Sequence, residues 1–359
     1  MTHRDLPRER PLTLGQTIAC ANQKGGVGKT TTVVNLAAYL ALAGKRILLV
    51  DLDPQGNATS GLGIDRSRVV HSVYDAFIAG IPLAELTVPT AIERLALVPA
   101  AIGLAGAEVE LAPLPQRERR LARLVGDVAS AYDFVVVDCP PSLGLLTVNA
   151  LTAADSGLVP LQCEYYALEG LTQLIATLNL VRDHLNPRLE VKGIVLTMYD
   201  ARTNLSADVA AEVRRHFGAT VFETVVPRSV RLSEAPSFGL PICLYRPESP
   251  GALAYRALAM ELLARDDSPS NHGDHRFAAA APRAERGPSG PTRPTEVAAV
   301  PFSTQGASAV EGPSTPAAPA TPVPTAPADG TARPAPAPSA PRMAPASGLP
   351  AHPATGGRP

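Results

Sequence analysis

The sequence predicts an α/β protein: one domain over residues 16–265, a mostly parallel twisted sheet with helices on both faces, followed by a disordered tail. Three observations carry this. Short apolar runs alternate with segments of helical periodicity, the signature of successive βαβ units. Two runs, RILLVDLD (46–53) and FVVVDCPPS (134–142), are too continuously apolar for a strand with one wet face, so both faces should be covered. After residue 266 the composition changes: 20 of the 37 prolines lie there, among Ala, Ser, Thr and Gly.

Taken in order, the first strand is 17–21, followed by a glycine-rich turn and a helix over 31–44 that Gly44 should stop. The second strand is 46–53. A less patterned stretch follows, with a short helix near 73–79, a strand at 95–98 and a charged helix over 116–131. The run 134–142 is a central strand ended by two prolines, and 157–162 is another strand. In LEGLTQLIATLNLVRDHL, residues Leu168, Leu171, Leu174, Ile175, Leu178, Val181 and Leu185 recur at spacings of three and four, which makes an amphipathic helix. A strand at 191–200, a helix at 206–218 ending at Gly218, a strand at 220–227 and a helix at 252–265 complete the domain.

The tail, 266–359, has too few large apolar residues to offset backbone ordering of about 1–2 kcal/mol per residue. Residues 1–15 form a flexible arm that carries charge but no apolar core of a secretory signal. No apolar run reaches the roughly 18 residues of a membrane span, which predicts a cytoplasmic protein without membrane contact. The net charge of -1 excludes a global basic field, so any nucleic-acid contact must come from a local patch. Cys20, Cys139, Cys163 and Cys243 are far apart and in apolar context, which fits buried thiols and neither a metal site nor a disulfide framework.

The strongest chemical signal is ANQKGGVGKTTT, 21–32. Backbone N–H groups of Gly25, Gly26, Val27 and Gly28 can converge on phosphate oxygens because few side chains intervene, and the turn opens onto a helix N-terminus. Lys29 then places a charge on the β and γ phosphates, and Thr30 supplies a hydroxyl to Mg²⁺. A second lysine, Lys24, precedes the glycines, and Gln23 stands where the general pattern G-x-x-x-x-G-K-[ST] has its first glycine. Mg²⁺ also needs a carboxylate at a strand end, and Asp138, after four apolar residues, fits. Asp51 and Asp53, two apart, share one face of a strand. Asp53, further out and followed by Pro54, is the better candidate to orient the attacking water, the alternative being that both acids only cap the loop.

The segment KGGVGKTTTVVNLAAYLALAGKRILLVDLDPQGNATSGLG, with DCPPSLGLLTVNAL, EYYALEGL, TMYDARTNL and VPRSVRLSEAPSFG, closely resembles the ParA/Soj chromosome-partitioning ATPases of the deviant Walker A class, over about 16–265. The resemblance implies a P-loop NTPase fold and an ATP- and Mg²⁺-dependent homodimer bound non-specifically to double-stranded DNA of the nucleoid. Hydrolysis would be slow until a ParB-like centromere-binding protein stimulates it. By the same resemblance Lys24 is the signature lysine that crosses to the partner subunit's nucleotide, Lys29 the ordinary loop lysine, Thr30 and Asp138 the metal ligands, and Asp53 the acid needed for hydrolysis. Thr31 joins the nucleotide-binding loop, Met198 and Pro227 lie near the adenine, and Arg202 and Arg231 contact DNA phosphates. Arg214 and Arg215 either extend that patch or serve a helix C-terminus. Three relatives of this class weigh as alternatives: an ATPase placing another cargo on the nucleoid, a MinD-like membrane-associated ATPase, and a nitrogenase-type iron protein. A basic amphipathic C-terminus, which the second needs, and the cluster cysteines, which the third needs, are both missing from the sequence.

Overall fold

A computed structural model describes residues 15–165 and 167–267. The expected arm and tail lie outside these residues except at their inner ends, and there both boundaries move. Gly15 is buried, its N–H donating to Ala129 O (3.2 Å), so it belongs to the body of the protein. The last helix includes Asp266, whose carboxylate meets the Lys192 ammonium.

The described residues begin with strand β1 (Gln16–Cys20), helix α1 (Lys29–Leu42) and strand β2 (Ile47–Asp51). Helix α1 ends as its sequence dictates: Gly44, at φ 89°, donates to Ala41 O, and Lys45 N–H donates to Leu40 O, the paired bonds of a glycine-stopped helix. Then come α2 (Asn57–Gly61), α3 (Val73–Ala79), α4 (Leu83–Leu86), β3 (Val88–Pro89), β4 (Leu95–Val98), α5 (Leu104–Leu111) and α6 (Arg120–Gly126). The second half runs β5 (Phe134–Asp138), α7 (Leu145–Ala153), β6 (Ser156–Gln162), α8 (Ala167–His184), β7 (Glu190–Tyr199), α9 (Asn204–Phe217), β8 (Val221–Pro227), α10 (Val230–Glu234), α11 (Ile242–Tyr245) and α12 (Pro250–Asp266).

One eight-stranded sheet in the order β3-β4-β2-β5-β1-β6-β7-β8 runs through the described residues, with every pair parallel except β3 against β4. The parallel sheet with helices on both faces is therefore observed. In β2 and β5 every residue is buried, because alternate side chains enter different cores. Leu48, Val50, Val135 and Val137 pack with α3, α5, α7 and α8; Ile47, Leu49 and Val136 pack with α1 and α12. Full burial of each such side chain stabilises the fold by about 1.5–3 kcal/mol.

The single charged helix expected over 116–131 is broken. Gln116 sits at φ 52°, a 3-10 turn covers Arg117–Arg119, α6 stops at Gly126, and a second 3-10 turn covers Ala129–Ala131. Glycine at the end of α6 and Asp127 after it weaken helix propagation there.

Candidate active site

The carboxyl ends of β1, β2 and β5 lie side by side, with Cys20 and Asp51 both opposite Asp138. This places the glycine loop, the Asp51–Asp53 turn and Asp138 at one sheet edge, where open α/β sheets take ligands. The loop enters α1 through Gly28, at φ 86°, a conformation that a side chain would strain. Thr197 on β7 donates its hydroxyl to Val27 O (2.8 Å), and Asn22 donates its amide to Pro160 O (2.7 Å) while accepting from Lys24 N–H (3.0 Å). Bonds to β6 and β7 thus fix the loop from the opposite side of β1.

The two lysines occupy different environments. Lys29 is only 6% exposed, and its ammonium donates to the carbonyl of Lys24 (3.2 Å). Lys24 has a side chain 43% exposed, and its ammonium pairs with Glu164 Oε2 (2.7 Å) on the turn after β6.

Asp138 is fully buried at the end of β5, and among the described residues neither of its carboxylate oxygens has a partner at hydrogen-bond geometry. Burial pushes its acid well above the usual range, the Asp51 charge adds to this, and the facing Thr30 hydroxyl and Lys29 ammonium oppose it. An orphaned buried carboxylate facing a threonine hydroxyl is a fit for a divalent cation that arrives with its own oxygen ligands. Among the described residues no group of three His, Cys, Asp or Glu side chains could hold a metal unaided. That suits Mg²⁺, which keeps waters and substrate oxygens as ligands.

The structure separates the two acids of β2. Asp51 accepts from Thr59 N–H (2.8 Å), Thr59 hydroxyl (2.7 Å) and Asp53 N–H (3.1 Å), so it ties α2 and the turn to the strand. Burial pushes it up to about 6 against those three bonds. Asp53 Oδ1 accepts from Gln55 N–H (2.9 Å) while Oδ2 makes no hydrogen bond among the described residues, which leaves Asp53 the acid with an oxygen to offer. Both acids cap the turn, Asp51 through three bonds and Asp53 through one.

Met198 is next to last in β7 and Pro227 ends the adjacent β8, and Met198 lies at φ 50°, a conformation uncommon for a residue with a side chain. Neither lines the cavity of about 260 Å³ beside Thr30 and Thr31, which is closed instead by Leu232, Ala235, Pro236 and Leu240. These follow β8 as a strap whose end, Gly239, approaches Gly63 after α2 so closely that a Cβ on Gly239 would lie 2.9 Å from the Gly63 Cα.

Of the arginines singled out from the sequence, Arg202, Arg215 and Arg231 are exposed and Arg214 is half-buried, and all four are paired within the chain. Arg202 grips Asp200 through Nε (2.9 Å) and Nη2 (2.7 Å), and Arg231 reaches Glu234 (2.8 Å). Arg214 pairs with Glu223 and Arg215 with Glu212. The cysteines are free thiols, and burial raises the pKa of Cys139, the one beside Asp138. No helix among the described residues is long and apolar enough to cross a membrane, and the C-terminal segment on which a MinD-like anchor would sit lies outside them.

A family model described as an AAA domain matches residues 15–191. The chain is 57% identical over 251 residues to the sporulation initiation inhibitor protein Soj of Bacillus subtilis (strain 168), covering 70% of this chain and 99% of that protein. It is 55% identical over 258 residues to the chromosome partitioning protein ParA of Myxococcus xanthus, covering 72% of this chain and 91% of that one. A solved structure, cobyrinic acid a,c-diamide synthase from Mycobacterium smegmatis with bound ADP and magnesium, matches with a TM-score of 0.63 and 40% identity over 71% of this chain and 96% of that one.

Proposed function

Because the chain belongs to the Soj/ParA family of chromosome-partitioning ATPases, we propose that it hydrolyses ATP in a homodimer formed across two nucleotides. In that state it binds double-stranded DNA without sequence preference and is released when a ParB-like partner stimulates hydrolysis, moving chromosomes or plasmids. The ATPase domain takes in residues 15–266, and it acts in the cytoplasm on the nucleoid.

One observation carries the reading. Of the two loop lysines, Lys29 is buried against its own loop while Lys24 stands half-exposed. On this reading Lys29 serves the nucleotide of its own subunit, and Lys24, exposed at the surface, serves a neighbour's.

Within each subunit the N–H groups of Gly25, Gly26, Val27, Gly28, Lys29, Thr30 and Thr31 hold phosphate oxygens at the start of α1. Met198 and Pro227 flank the base. Thr30 and Asp138 would hold Mg²⁺, which when bound neutralises charge on the β and γ phosphates. Asp53 orients the attacking water through its open oxygen, and Thr59, by fixing Asp51, holds the turn that presents it. Dimerisation gives ATP a mechanical output because two weak phosphate-binding patches on one body bind DNA with avidity. Arg202 and Arg231 supply that patch by exchanging their intrachain acids for phosphates.

Substitution separates the two lysines. Lys29→Ala should lose nucleotide binding; Lys24→Ala should bind nucleotide as the natural protein does yet sediment as a monomer with ATP. A Lys24→Ala protein that still dimerised with ATP and hydrolysed it normally would contradict the cross-subunit role.

A further inference from the structure

In the single subunit, Lys24 is neither free nor directed at its own phosphate site. Its ammonium bonds Glu164 Oε2 at 2.7 Å, with both side chains close to half exposed, 43% and 45%. Glu164 is itself held: its other oxygen, Oε1, accepts from the Gln162 amide, and its N–H donates to Gln162 O (2.8 Å). The carboxylate is therefore aimed from the turn after β6 at the lysine 140 residues away, and the lysine backbone is pinned by Asn22 on one side and by the Lys29 ammonium on its carbonyl.

We propose that Glu164 is a positioning residue for Lys24, holding its ammonium within its own subunit until a partner's nucleotide phosphates replace the carboxylate. This rests on the cross-subunit role given to Lys24. Phosphates arriving at Lys29 draw that ammonium off the Lys24 carbonyl, which removes one of the two bonds on the Lys24 backbone. Glu164 then remains as the side-chain hold, and the partner's phosphates, with more charge than one carboxylate, take the lysine from it. An exposed ion pair of this kind biases an equilibrium by about 1.4- to 5-fold, enough to disfavour premature crossing without preventing it. Two such pairs open per dimer, so together they set the dimerisation midpoint by about two- to thirty-fold.

The test uses the full chain with magnesium and a non-hydrolysable ATP analogue, reading the monomer–dimer midpoint by sedimentation velocity. Glu164→Gln should dimerise at a concentration about two- to thirty-fold lower than the natural protein, and Glu164→Ala should move the same way. Nucleotide affinity at concentrations where the protein is monomeric should not change. The gap between the natural protein and Glu164→Gln should narrow as salt rises, because salt screens an exposed pair, a trend that a merely structural role would not produce. An unchanged or higher midpoint in both variants, with Lys24→Ala monomeric, overturns the role of Glu164 and leaves that of Lys24 standing. If Lys24→Ala dimerises normally, the reading of Lys24 falls, and the inference with it.

Discussion

Replacing Asp138 with asparagine should make the nucleotide-free protein more stable while disabling it. Asp138 is completely buried, with no partner at hydrogen-bond geometry for either oxygen among the described residues. Burial and the Asp51 charge outweigh the help its charged form gets from the Thr30 hydroxyl and the Lys29 ammonium, so the site favours keeping the proton. Keeping the proton at pH 7, against an ordinary value of 3.8, costs at most about 4 kcal/mol at 1.36 kcal/mol per unit. Asparagine has nearly the same shape, leaves a polar group as unpaired as the acid does, and carries neither the charge nor the titrating proton, so Asp138→Asn should stabilise by up to about 4 kcal/mol. For a domain of this size that raises Tm by up to about 12 °C, at about 3 °C per kcal/mol. The pH dependence has a definite sign. The folded acid binds its proton more tightly than the unfolded chain does, as does Asp51, pushed up to about 6. Their contribution to stability is greatest at low pH and is lost as pH rises through the raised folded values. The natural apo protein should therefore gain Tm from these groups between about pH 7 and about pH 5, and Asp138→Asn should flatten that rise. Saturating nucleotide and magnesium narrow or close the gap: the natural protein gains about 2.7 kcal/mol at 100 times Kd, and the variant gains much less. Differential scanning fluorimetry with and without Mg-ATP reads all three effects. A lower Tm for apo Asp138→Asn would refute the claim that this carboxylate is strained for want of a cation.

Asp53→Ala should still bind nucleotide and dimerise but lose about 10²–10⁴-fold in ATP turnover, measured by phosphate release, because its open oxygen is removed and the Asp51 anchor is kept. Arg202→Ala and Arg231→Ala should each weaken DNA binding at every sequence and lower the slope of log affinity against log salt by about one, read by fluorescence anisotropy. Asp200→Asn should strengthen DNA binding, because Arg202 holds the Asp200 carboxyl well below the usual range and so keeps a negative charge next to its own guanidinium.

What was legible in the sequence was what is local. The apolar runs of β2 and β5 and the spacing of Leu171, Leu174, Ile175 and Leu178 in α8 each report burial within one segment, and the structure places them as expected. Helix α7 was not separable from the loop before it, because LLTVNALTA is apolar on nearly every side and shows no periodicity. Helix α5 carries Gly106 in its interior and reads as a turn. The glycine loop and Asp138 could be found because their spacing is their signature. Glu164 and Thr197 could not, since they reach the loop across 140 and 170 residues, and only the order β5-β1-β6-β7 brings them there. Thr59, eight residues from Asp51, is close in sequence but looks like any threonine until its two bonds are seen.

The central claim is that ATP makes a dimer whose purpose is to hold DNA. It is tested most directly by measuring the binding of the full chain to labelled duplexes of unrelated sequence with ATP, with ADP and without nucleotide, at about 50 and about 200 mM salt. The account predicts binding with ATP alone, of similar strength on every duplex, that collapses at the higher salt. Binding that is indifferent to nucleotide, or none even with ATP at the lower salt, would contradict it.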